Sequence, residues 1–295
     1  MGEQYSLLKS IPNFRDVGES VNKIECAKVL KTRLLYRGAR PDEASFQDRQ
    51  RLVKEYGIKS IIDLRTKTEH IEQVQKRDAK IKASAAIRQT NDEVAEPLKI
   101  PRITYHEINF NGNAFSRMLI SKLSWMDFFR LIGLMLFGYR LDAIKLLAPT
   151  MEAKGLIGLA IDSLDVCTYE VEQVFEVLAG EANWPLMIHC TQGKDRTGLT
   201  VMLVLFLMGF GVEAVNRDYL LSEPELEPEK EERMKEISSI GLSEHFASCP
   251  QNLVAGVHEH IEKKYGGVEG YLEGIGVTKE MRERIKNILL ENSEE

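Results

Sequence analysis

The sequence predicts an α/β fold with a central, mostly parallel sheet flanked by helices, and two observations lead to that prediction. Short apolar runs bounded by turn residues occur at 34–36, 59–64, 103–108 and 186–190, which is typical of buried strands. The segments between them show helical periodicity and are long enough for crossover connections, which join parallel strands. We therefore expect one α/β domain over residues 1–295.

The later elements follow in order from similar patterns. The fourth strand leads into a polar loop over 190–196, and the apolar segment over 199–210 then predicts a helix buried on nearly every face. The run at 223–236, with seven glutamates and three basic residues, predicts a solvated connector that runs into a helix. The last helix is expected to begin near Thr278, a good N-cap with Glu280 in the first turn.

A long apolar segment over 115–164 predicts a helical insert, either buried or forming a lid. Lys122, Asp127 and Arg130 interrupt it, and a charge at the centre of a span costs about 2.5 to 3.5 kcal/mol on insertion scales, so we do not predict a membrane span. Peripheral contact with a membrane surface remains the alternative, because aromatic residues stand beside the two basic ones, as in an interfacial helix. These aromatic residues are Trp125, Phe128 and Phe129.

The composition excludes several classes of protein. With 295 residues, 43% of them apolar, the chain can bury a core without disulfides or a structural metal, so disorder is not expected. The formal charge of −6 argues against a nucleic-acid partner, because such proteins usually carry a basic face. The four cysteines form no zinc-binding pattern, and His258 and His260 would point in different directions on a helix, so no metal site is predicted.

The first residues predict a cytoplasmic protein. They lack the basic region and apolar run of a secretory signal, so we expect a reducing compartment, in which a free thiol survives. The start matches the minimal N-myristoylation pattern, with Gly2 as acceptor and Ser6 in place. Because the pattern is short and Glu3 adds an acidic residue beside the acceptor, we do not predict acylation.

The run HCTQGKDRTG at 189–198 carries the candidate chemistry. It lies between a predicted strand and a predicted buried helix, an arrangement that points backbone N–H groups and a helix N-terminus at one spot and so favours a dianion. A tight loop needs a positive φ where Gly193 stands. The predicted phosphate-binding residues are Thr191, Gln192, Gly193, Lys194 and Arg196.

Four side chains in this run have candidate tasks. Cys190 would act as a nucleophile in its thiolate form, which the loop amides, the helix dipole and nearby cations favour. Arg196 offers two parallel donors to phosphate oxygens, a geometry that lysine lacks. His189 would orient the loop and help to stabilise the thiolate, with a packed core histidine as the alternative. Thr197 would hydrogen-bond the leaving sulfur, with capping of the next helix as its alternative.

This run resembles the active-site loop of the cysteine-dependent tyrosine phosphatases, and more closely the branch that reads HCxxGKDRTG, which includes bacterial tyrosine and lipid phosphatases and fungal relatives. The resemblance spans about residues 11–290 and implies a tyrosine-phosphatase-like fold, although the 115–164 insert shows no landmark. Further runs look like that family's landmarks, in its order: NFRDVG at 13–18, YRG at 36–38, IDLR at 62–65 with Glu69, RDYLL at 217–221, and Tyr265-Gly266 with Tyr271-Leu272.

The resemblance implies a phosphoric monoester hydrolase that works through a Cys190 phosphoenzyme, without a metal or other cofactor. The chain lacks the Trp-Pro-Asp triplet that carries the general acid in other tyrosine phosphatases. Relatives with Lys-Asp-Arg in the loop use the loop aspartate instead, which is Asp195 here. Asp63, at the end of a predicted strand, is the second candidate, and its alternative role is an ion pair with Arg15 or Arg65.

The expected partner is a phosphorylated protein substrate, with phosphotyrosine first and dual specificity toward phosphoserine and phosphothreonine. Lys194, as a second cation beside Arg196, keeps a phosphoinositide or an inositol polyphosphate as the alternative substrate. The alternative from another class is a catalytically inactive module that binds phosphate groups, and the intact Cys190, Asp195 and Arg196 argue against it.

Overall fold

A computed structural model of the protein describes residues 8–87 and 98–291. Within these ranges the chain forms a five-stranded sheet flanked by helices, which confirms the predicted α/β class. The acylation pattern with Gly2 and Ser6 lies outside the described residues.

The sheet consists of five short strands in the order β1-β2-β5-β3-β4. Their bounds are β1 Arg15–Asp16, β2 Leu35–Gly38, β3 Ser60–Asp63, β4 Thr104–Glu107 and β5 Leu186–His189. Strands β2 to β5 pair in parallel, as predicted, and β1 pairs antiparallel with β2. Sequence patterns missed β1, because two residues are too few to show a period.

Strand β5 is buried on both faces of the sheet, which explains its continuous apolar sequence. Alternate residues point to opposite sides: Leu186 and Ile188 pack into the larger core cluster, whereas Met187 between them packs into the smaller one. The smaller cluster also contains the stacked rings of Phe14 and Tyr36. The sheet thus separates two apolar layers.

Helices make up most of the remaining described chain. They are α1 Val17–Glu25, α2 Phe46–Lys54, α3 Lys67–Ile87, α4 Asn113–Ile120, α5 Trp125–Leu136, α6 Arg140–Lys145, α7 Ala148–Val166, α8 Thr168–Leu178, α9 Asp195–Leu207, α10 Val212–Leu220, α11 Ser222–Leu226, α12 Lys230–Ser239, α13 Leu253–Tyr265, α14 Val268–Gly274 and α15 Lys279–Leu289. Short 3-10 turns lie at Glu181–Asn183, Glu227–Glu229 and Glu244–Ala247. Thr278 caps α15 by accepting a hydrogen bond from the Met281 amide, as predicted.

Helix α9 is the most deeply buried helix next to the predicted loop, with every residue from Thr197 to Leu207 buried. It begins at Asp195, earlier than predicted, because the polar residues of its first turn do not continue the apolar pattern. It also ends earlier than predicted, since Gly209 adopts a φ of +88°, a left-handed conformation that stops a helix.

Two other segments predicted from composition are helical. The acidic run at 223–236 forms α11, a 3-10 turn and most of α12, so the connector is itself helical and its Leu226 is fully buried. The 115–164 insert comprises most of α4 and all of α5 and α6, followed by most of α7, which is kinked at Gly155. Among the described helices, none combines the length and apolarity that crossing a membrane requires.

The strand register brings the ends of three strands together next to the loop. Gly38 of β2 and Asp63 of β3 both pair with His189 of β5, directly before Cys190. Ligands of parallel α/β sheets bind beyond the carboxyl ends of the strands. The fold therefore places Cys190 at the edge of the sheet where a ligand site is expected.

Candidate active site

A cavity of about 570 Å³ opens at the carboxyl edge of the sheet. Cys190, Thr191 and Gln192 of the loop line it, together with Asp195 and Arg196 from the first turn of α9. The insert supplies another wall, through apolar side chains of α4, α6 and α7: Phe115, Ile144, Met151, Leu156 and Leu159. The candidate nucleophile, acid and arginine thus share one cavity, and the insert lies beside them.

Gly193 shapes the loop. Its φ is +67°, a left-handed conformation that residues with a Cβ rarely adopt, which confirms the predicted positive φ. A Cβ at this position would also lie 2.2 Å from the carbonyl oxygen of Gly38, at the end of β2. The loop can therefore pack against β2 only if this residue is glycine.

Asn13 and Arg37 hold the loop on the side away from the cavity. The Nδ2 of Asn13 donates hydrogen bonds to the carbonyl oxygens of Gln192 (3.1 Å) and Gly193 (3.0 Å), and the Nη2 of Arg37 donates to that of Gly193 (2.9 Å). In a trans peptide unit the N–H points opposite to the C=O. The amides of Gly193 and Lys194 therefore point away from Asn13 and Arg37.

Asp218 of α10 forms a buried cluster with two arginines behind the loop. Its carboxylate lies 3.0 Å from the Nε of Arg15 and 2.6 Å from the Nη1 of Arg37. Burial alone would raise the pKa of Asp218, but the two guanidinium groups hold it below its ordinary value. Burial and the neighbouring Arg15 lower the pKa of Arg37 to about 10. Two cations face one anion, so the cluster carries a net positive charge.

Local sequence patterns assign no role to Asn13, Arg37 and Asp218. Each lies within a run that resembles a family landmark, at 13–18, 36–38 or 217–221. The position in such a run is the signal that could have marked these residues as part of the site. The runs are far apart in sequence, so their convergence on the loop becomes visible only in the folded chain.

Glu69 positions Arg196. Each oxygen of its carboxylate accepts a hydrogen bond of 2.7 Å from the guanidinium, which makes a bidentate pair. Burial alone would lower the pKa of Arg196, but Glu69 raises it above its ordinary value. In the reverse direction, burial would raise the pKa of Glu69, and Arg196 outweighs it and lowers that pKa to about 2. The pair is therefore charged over the whole physiological range.

A capping box at the start of α3 places Glu69. The backbone N–H of Thr66 donates to Oε2 of Glu69 at 2.8 Å, and the N–H of Glu69 donates to the Thr66 hydroxyl at 3.4 Å. The hydroxyl of Thr191, in the loop, also donates to Glu69. Glu69 thus links the N-terminus of α3 to the loop and to Arg196.

The Lys194 ammonium lies outside the cavity lining. The side chain is buried, and Nζ donates hydrogen bonds to the carbonyl oxygens of Ser248 (2.8 Å) and Phe246 (3.3 Å). Nζ also lies 3.4 Å from the carboxylate of Asp195. The interpretation of Lys194 as a second cation for the substrate is therefore at odds with its position, because its donors are directed to main-chain carbonyls.

Asp63 is buried at the end of β3, apart from the cavity that contains the loop. It pairs with Arg65 at 2.6 Å, which confirms one predicted alternative, whereas Arg15 pairs with Asp218 instead. Burial would raise the pKa of Asp63, but His189 and Arg65 hold it far below its ordinary value. Asp63 is therefore a permanently ionised group in a structural ion pair.

His189 and Thr197 flank the loop and are both fully buried. The Nδ1 of His189 lies 3.0 Å from the carbonyl oxygen of Cys190, and its Nε2 lies 3.5 Å from Asp63. Burial lowers the pKa of His189 and so favours its neutral ring. Thr197 does not cap α9, whose N-cap is Lys194, and its hydroxyl has no hydrogen-bond partner among the described residues.

Comparisons with known proteins identify the family of this chain. The model of the tyrosine phosphatase family matches residues 7–291. A tyrosine-protein phosphatase of Nostoc commune is 29% identical over 126 residues, which cover 40% of this chain and 43% of that protein. The triple specificity protein phosphatase PtpB of Mycobacterium tuberculosis is 28% identical over 125 residues, 37% of this chain and 45% of that protein. The chain thus spans less than half of these relatives, but the family match covers nearly all of the chain, which therefore belongs to the tyrosine phosphatase family.

Proposed function

We propose that this protein hydrolyses phosphate monoesters, phosphotyrosine in proteins first, through a phosphorylated Cys190. The observation that carries the proposal is the single cavity that holds Cys190, Asp195 and Arg196 where β5 passes into α9. Its apolar walls, which include Phe115 and Leu159, suit the ring of a phosphotyrosine.

The floor of the cavity suits a phosphate dianion. The N-terminus of the 13-residue helix α9 opens on the loop, where its dipole and its first amides favour negative charge. The loop amides of Gly193 and Lys194 add donors on the side away from Asn13. The buried arginine cluster around Asp218 adds positive charge behind the loop.

Two steps complete the reaction. In the first, the Cys190 thiolate attacks phosphorus, the bond from phosphorus to the ester oxygen breaks, and Asp195 gives that oxygen a proton. Arg196 holds the phosphoryl oxygens during the transfer. In the second, a water oxygen attacks phosphorus, its proton passes to Asp195, and the phosphorus–sulfur bond breaks to release phosphate and the thiolate. Thr197, with its unpartnered hydroxyl, would donate a hydrogen bond to the departing sulfur.

Asp195 suits the role of general acid better than Asp63. Its side chain lines the cavity and is 49% exposed, so it can reach the ester oxygen of a bound substrate. Asp63 is buried, and its lowered pKa keeps it ionised, which removes the proton that an acid must donate. The role left to Asp63 is the structural ion pair with Arg65, since the Nε2 of His189 lies 3.5 Å away and makes no hydrogen bond among the described residues.

We extend the proposed substrates to phosphoserine and phosphothreonine, because PtpB is a triple specificity phosphatase and the loop addresses the phosphate rather than the ring. A phosphoinositide or an inositol polyphosphate is the alternative substrate, but Lys194 does not favour it, because its ammonium group binds main-chain carbonyl oxygens. The chemistry needs a reduced Cys190 and uses only groups of this chain, so we propose a cytoplasmic enzyme that requires no metal.

Phosphate release from a phosphotyrosine peptide, measured with reductant and EDTA, tests the proposal. Wild type and Cys26→Ser should release phosphate equally, since Cys26 is exposed at the end of α1. Cys190→Ser should lose turnover by about a thousandfold or more and still bind the peptide. Turnover that survives in Cys190→Ser would overturn the covalent mechanism. Binding without turnover in the wild type would favour the inactive phosphate-binding module.

We also propose that the insert contacts an anionic membrane surface. Thirteen of the side chains that the structure describes are large, apolar and exposed, and nine of these lie within 125–141. Four of them form a stripe on α5 that faces away from the buried Leu131: Trp125, Phe129, Ile132 and Leu136. Such a stripe needs a partner, because large apolar patches are rarely left in water.

The charge of this region favours anionic lipid as that partner. The insert at 115–164 carries six basic and four acidic side chains, a net charge of +2, in a chain whose formal charge is −6. Aromatic side chains beside basic ones suit the boundary between head groups and acyl chains. Trp125 is 80% exposed and Phe137 is 81% exposed, so both can enter that boundary.

Sedimentation with vesicles that contain phosphatidylserine tests this contact. The double variant Trp125→Ser/Phe129→Ser should bind at least tenfold more weakly than wild type, because each ring contributes about 1.5 to 3 kcal/mol when buried. Tyr169→Ser on α8, also an exposed aromatic residue, is the matched control and should bind normally. Equal binding of both variants, or binding to a second copy of the chain instead of vesicles, would overturn the proposal.

A further inference from the structure

Arg233 lines the same cavity as Cys190 and Arg196, and no step of the proposed hydrolysis uses it. It lies on α12, within the acidic run, yet its side chain turns inward and only 8% of the residue is exposed. Its Nη1 lies 3.4 Å from the Oε1 of Gln192 in the loop. A second guanidinium therefore stands at the cavity wall beside the loop.

Among the side chains that the structure describes, a set that leaves out Glu232 and Glu236, this guanidinium has no carboxylate partner. The Nε of Arg233 is buried without a hydrogen-bond acceptor, and the contact with Gln192 is long. A buried cation without a counter-ion is unfavourable, so an anion that enters the cavity gains by pairing with it. Four other arginines of the region already face a carboxylate at 3.0 Å or less: Arg15, Arg37, Arg65 and Arg196. Arg40, which contacts the loop at the Thr191 carbonyl oxygen, is not among the residues that line the cavity.

We infer that Arg233 and Gln192 form a second anion subsite, for a substrate that carries a further phosphate or carboxylate beside the phosphate that is cleaved. This inference rests on the proposed hydrolysis at Cys190. The cleaved phosphate is served by Arg196 and the loop amides, so Arg233 meets a different group of the same substrate. Its planar guanidinium can give two parallel hydrogen bonds to two oxygens of that group.

Arg233 therefore has the role that sequence patterns assigned to Lys194. The sequence concealed it, because Arg233 is one of three basic residues among seven glutamates at 223–236 and looks like part of a solvated surface. The fold turns it inward instead. On α12, the neighbouring Ile237 lines the same cavity, which agrees with a helix face directed at the site.

Substrate pairs that differ by one anionic group test the subsite. One pair is a phosphotyrosine peptide with and without a neighbouring phosphoserine, and the other is a short-chain phosphatidylinositol with two phosphates and with one. For each pair we divide the kcat/KM of the substrate with the additional anionic group by the kcat/KM of the substrate without it. We compare this ratio in wild type, Arg233→Gln and Lys235→Gln. Lys235 is exposed on the same helix and loses the same charge, so its variant is the matched control.

Arg233→Gln should lower this ratio about tenfold or more for at least one pair, as expected when a hydrogen bond to a charged group is lost, and Lys235→Gln should leave it within about twofold. The pair that responds identifies the source of the second anion, peptide or lipid head group. A ratio that Arg233→Gln leaves unchanged for both pairs, or lowers no more than Lys235→Gln does, overturns the inference.

Two further measurements keep the test decisive. If Arg233→Gln does not fold, Arg233→Lys retains the charge but lacks the planar donor pair, and its ratio should still fall. If the wild type turns over neither substrate, the proposed hydrolysis fails, and calorimetric binding of the same pairs to the Cys190→Ser protein tests the subsite alone. Equal affinity of the Cys190→Ser protein for both members of every pair would overturn the inferred subsite.

Discussion

At the scale of single residues, the charges around the loop divide into those that build the site and those that are free to bind. Arg15 and Arg37 are committed to Asp218, and Arg196 is held by Glu69, so each of these arginines has a fixed position before a substrate arrives. Fixed donors lose little freedom when a phosphate binds, which is the physical basis of a preorganised site.

Replacement of Asp218 by Asn tests the buried cluster. Two guanidinium groups would then be left without a carboxylate, and we expect the free energy of unfolding to fall by about 3 to 5 kcal/mol. Glu213→Gln on the same helix removes an exposed carboxylate from its pair with Arg217 and should change it by less than about 1 kcal/mol. Urea denaturation measures both. Similar losses in the two variants would contradict the cluster's role.

Replacement of Asp195 by Asn tests the general acid. The amide cannot protonate the ester oxygen, so aryl esters with poor leaving groups should react about 100-fold more slowly or worse, and esters with good leaving groups should react almost normally. The dependence of kcat/KM on the leaving-group pKa measures this difference, because kcat/KM reports the steps up to cleavage of the ester bond and leaves out the second step, in which Asp195 acts as the base. If good and poor leaving groups slow by the same factor, Asp195 serves the loop geometry instead, through its contact with Lys194.

At the scale of elements, the β5-loop-α9 unit owes its form to one glycine. Gly193→Ala would place a Cβ 2.2 Å from the Gly38 carbonyl oxygen at a φ of +67°, so the loop must shift, and we expect turnover to fall by at least about tenfold. Gly209→Ala is the control: its φ is +88°, but a Cβ there meets nothing within 4 Å. It should cost about 1 kcal/mol of stability and leave turnover intact. Equal turnover of both variants would count against the loop argument.

The elements also show how far sequence patterns reach. The predicted strands at 34–36, 59–64, 103–108 and 186–190 overlap β2 to β5, because an apolar run bounded by turns is a local signal. The two-residue β1 and the first turn of α9 escaped prediction, since neither shows an apolar period. The acidic run at 223–236 is largely exposed and leads into a helix, as predicted, but its charges hide the helical turns of the connector itself and the buried Leu226 and Arg233.

At the scale of the whole molecule, the paired carboxylates make stability depend on pH. The pKa of Glu69 falls from 4.5 to about 2 on folding, because Arg196 outweighs burial, and those of Asp63 and Asp218 also fall. A carboxyl group with a lowered pKa contributes stability above its unfolded pKa and loses it as the pH falls toward the folded value.

We therefore expect the contribution of these carboxylates to the free energy of unfolding to stay nearly level from pH 7 to about pH 5 and to decline steadily from there toward about pH 2. The buried His189 adds an earlier loss that begins near pH 6.5, because burial lowers its pKa and the unfolded chain takes up its proton first. Urea titrations at a series of pH values measure this. Glu69→Gln should start from a lower stability at pH 7 and show a shallower decline, since it lacks one of the titrating groups. If the free energy of unfolding declines equally steeply in wild type and variant, Glu69 does not contribute to its pH dependence.

Local sequence patterns were enough to predict the α/β class, the strands β2 to β5 and the candidate run from His189 to Gly198, because each of these depends on neighbours within about twenty residues. Which charges meet depends on the folded chain. It directs Lys194 to main-chain carbonyls, turns Arg233 into the cavity and pairs Arg15 with Asp218 across 203 positions of the chain. Ion pairs form between groups that the fold brings together, and no local pattern encodes that distance.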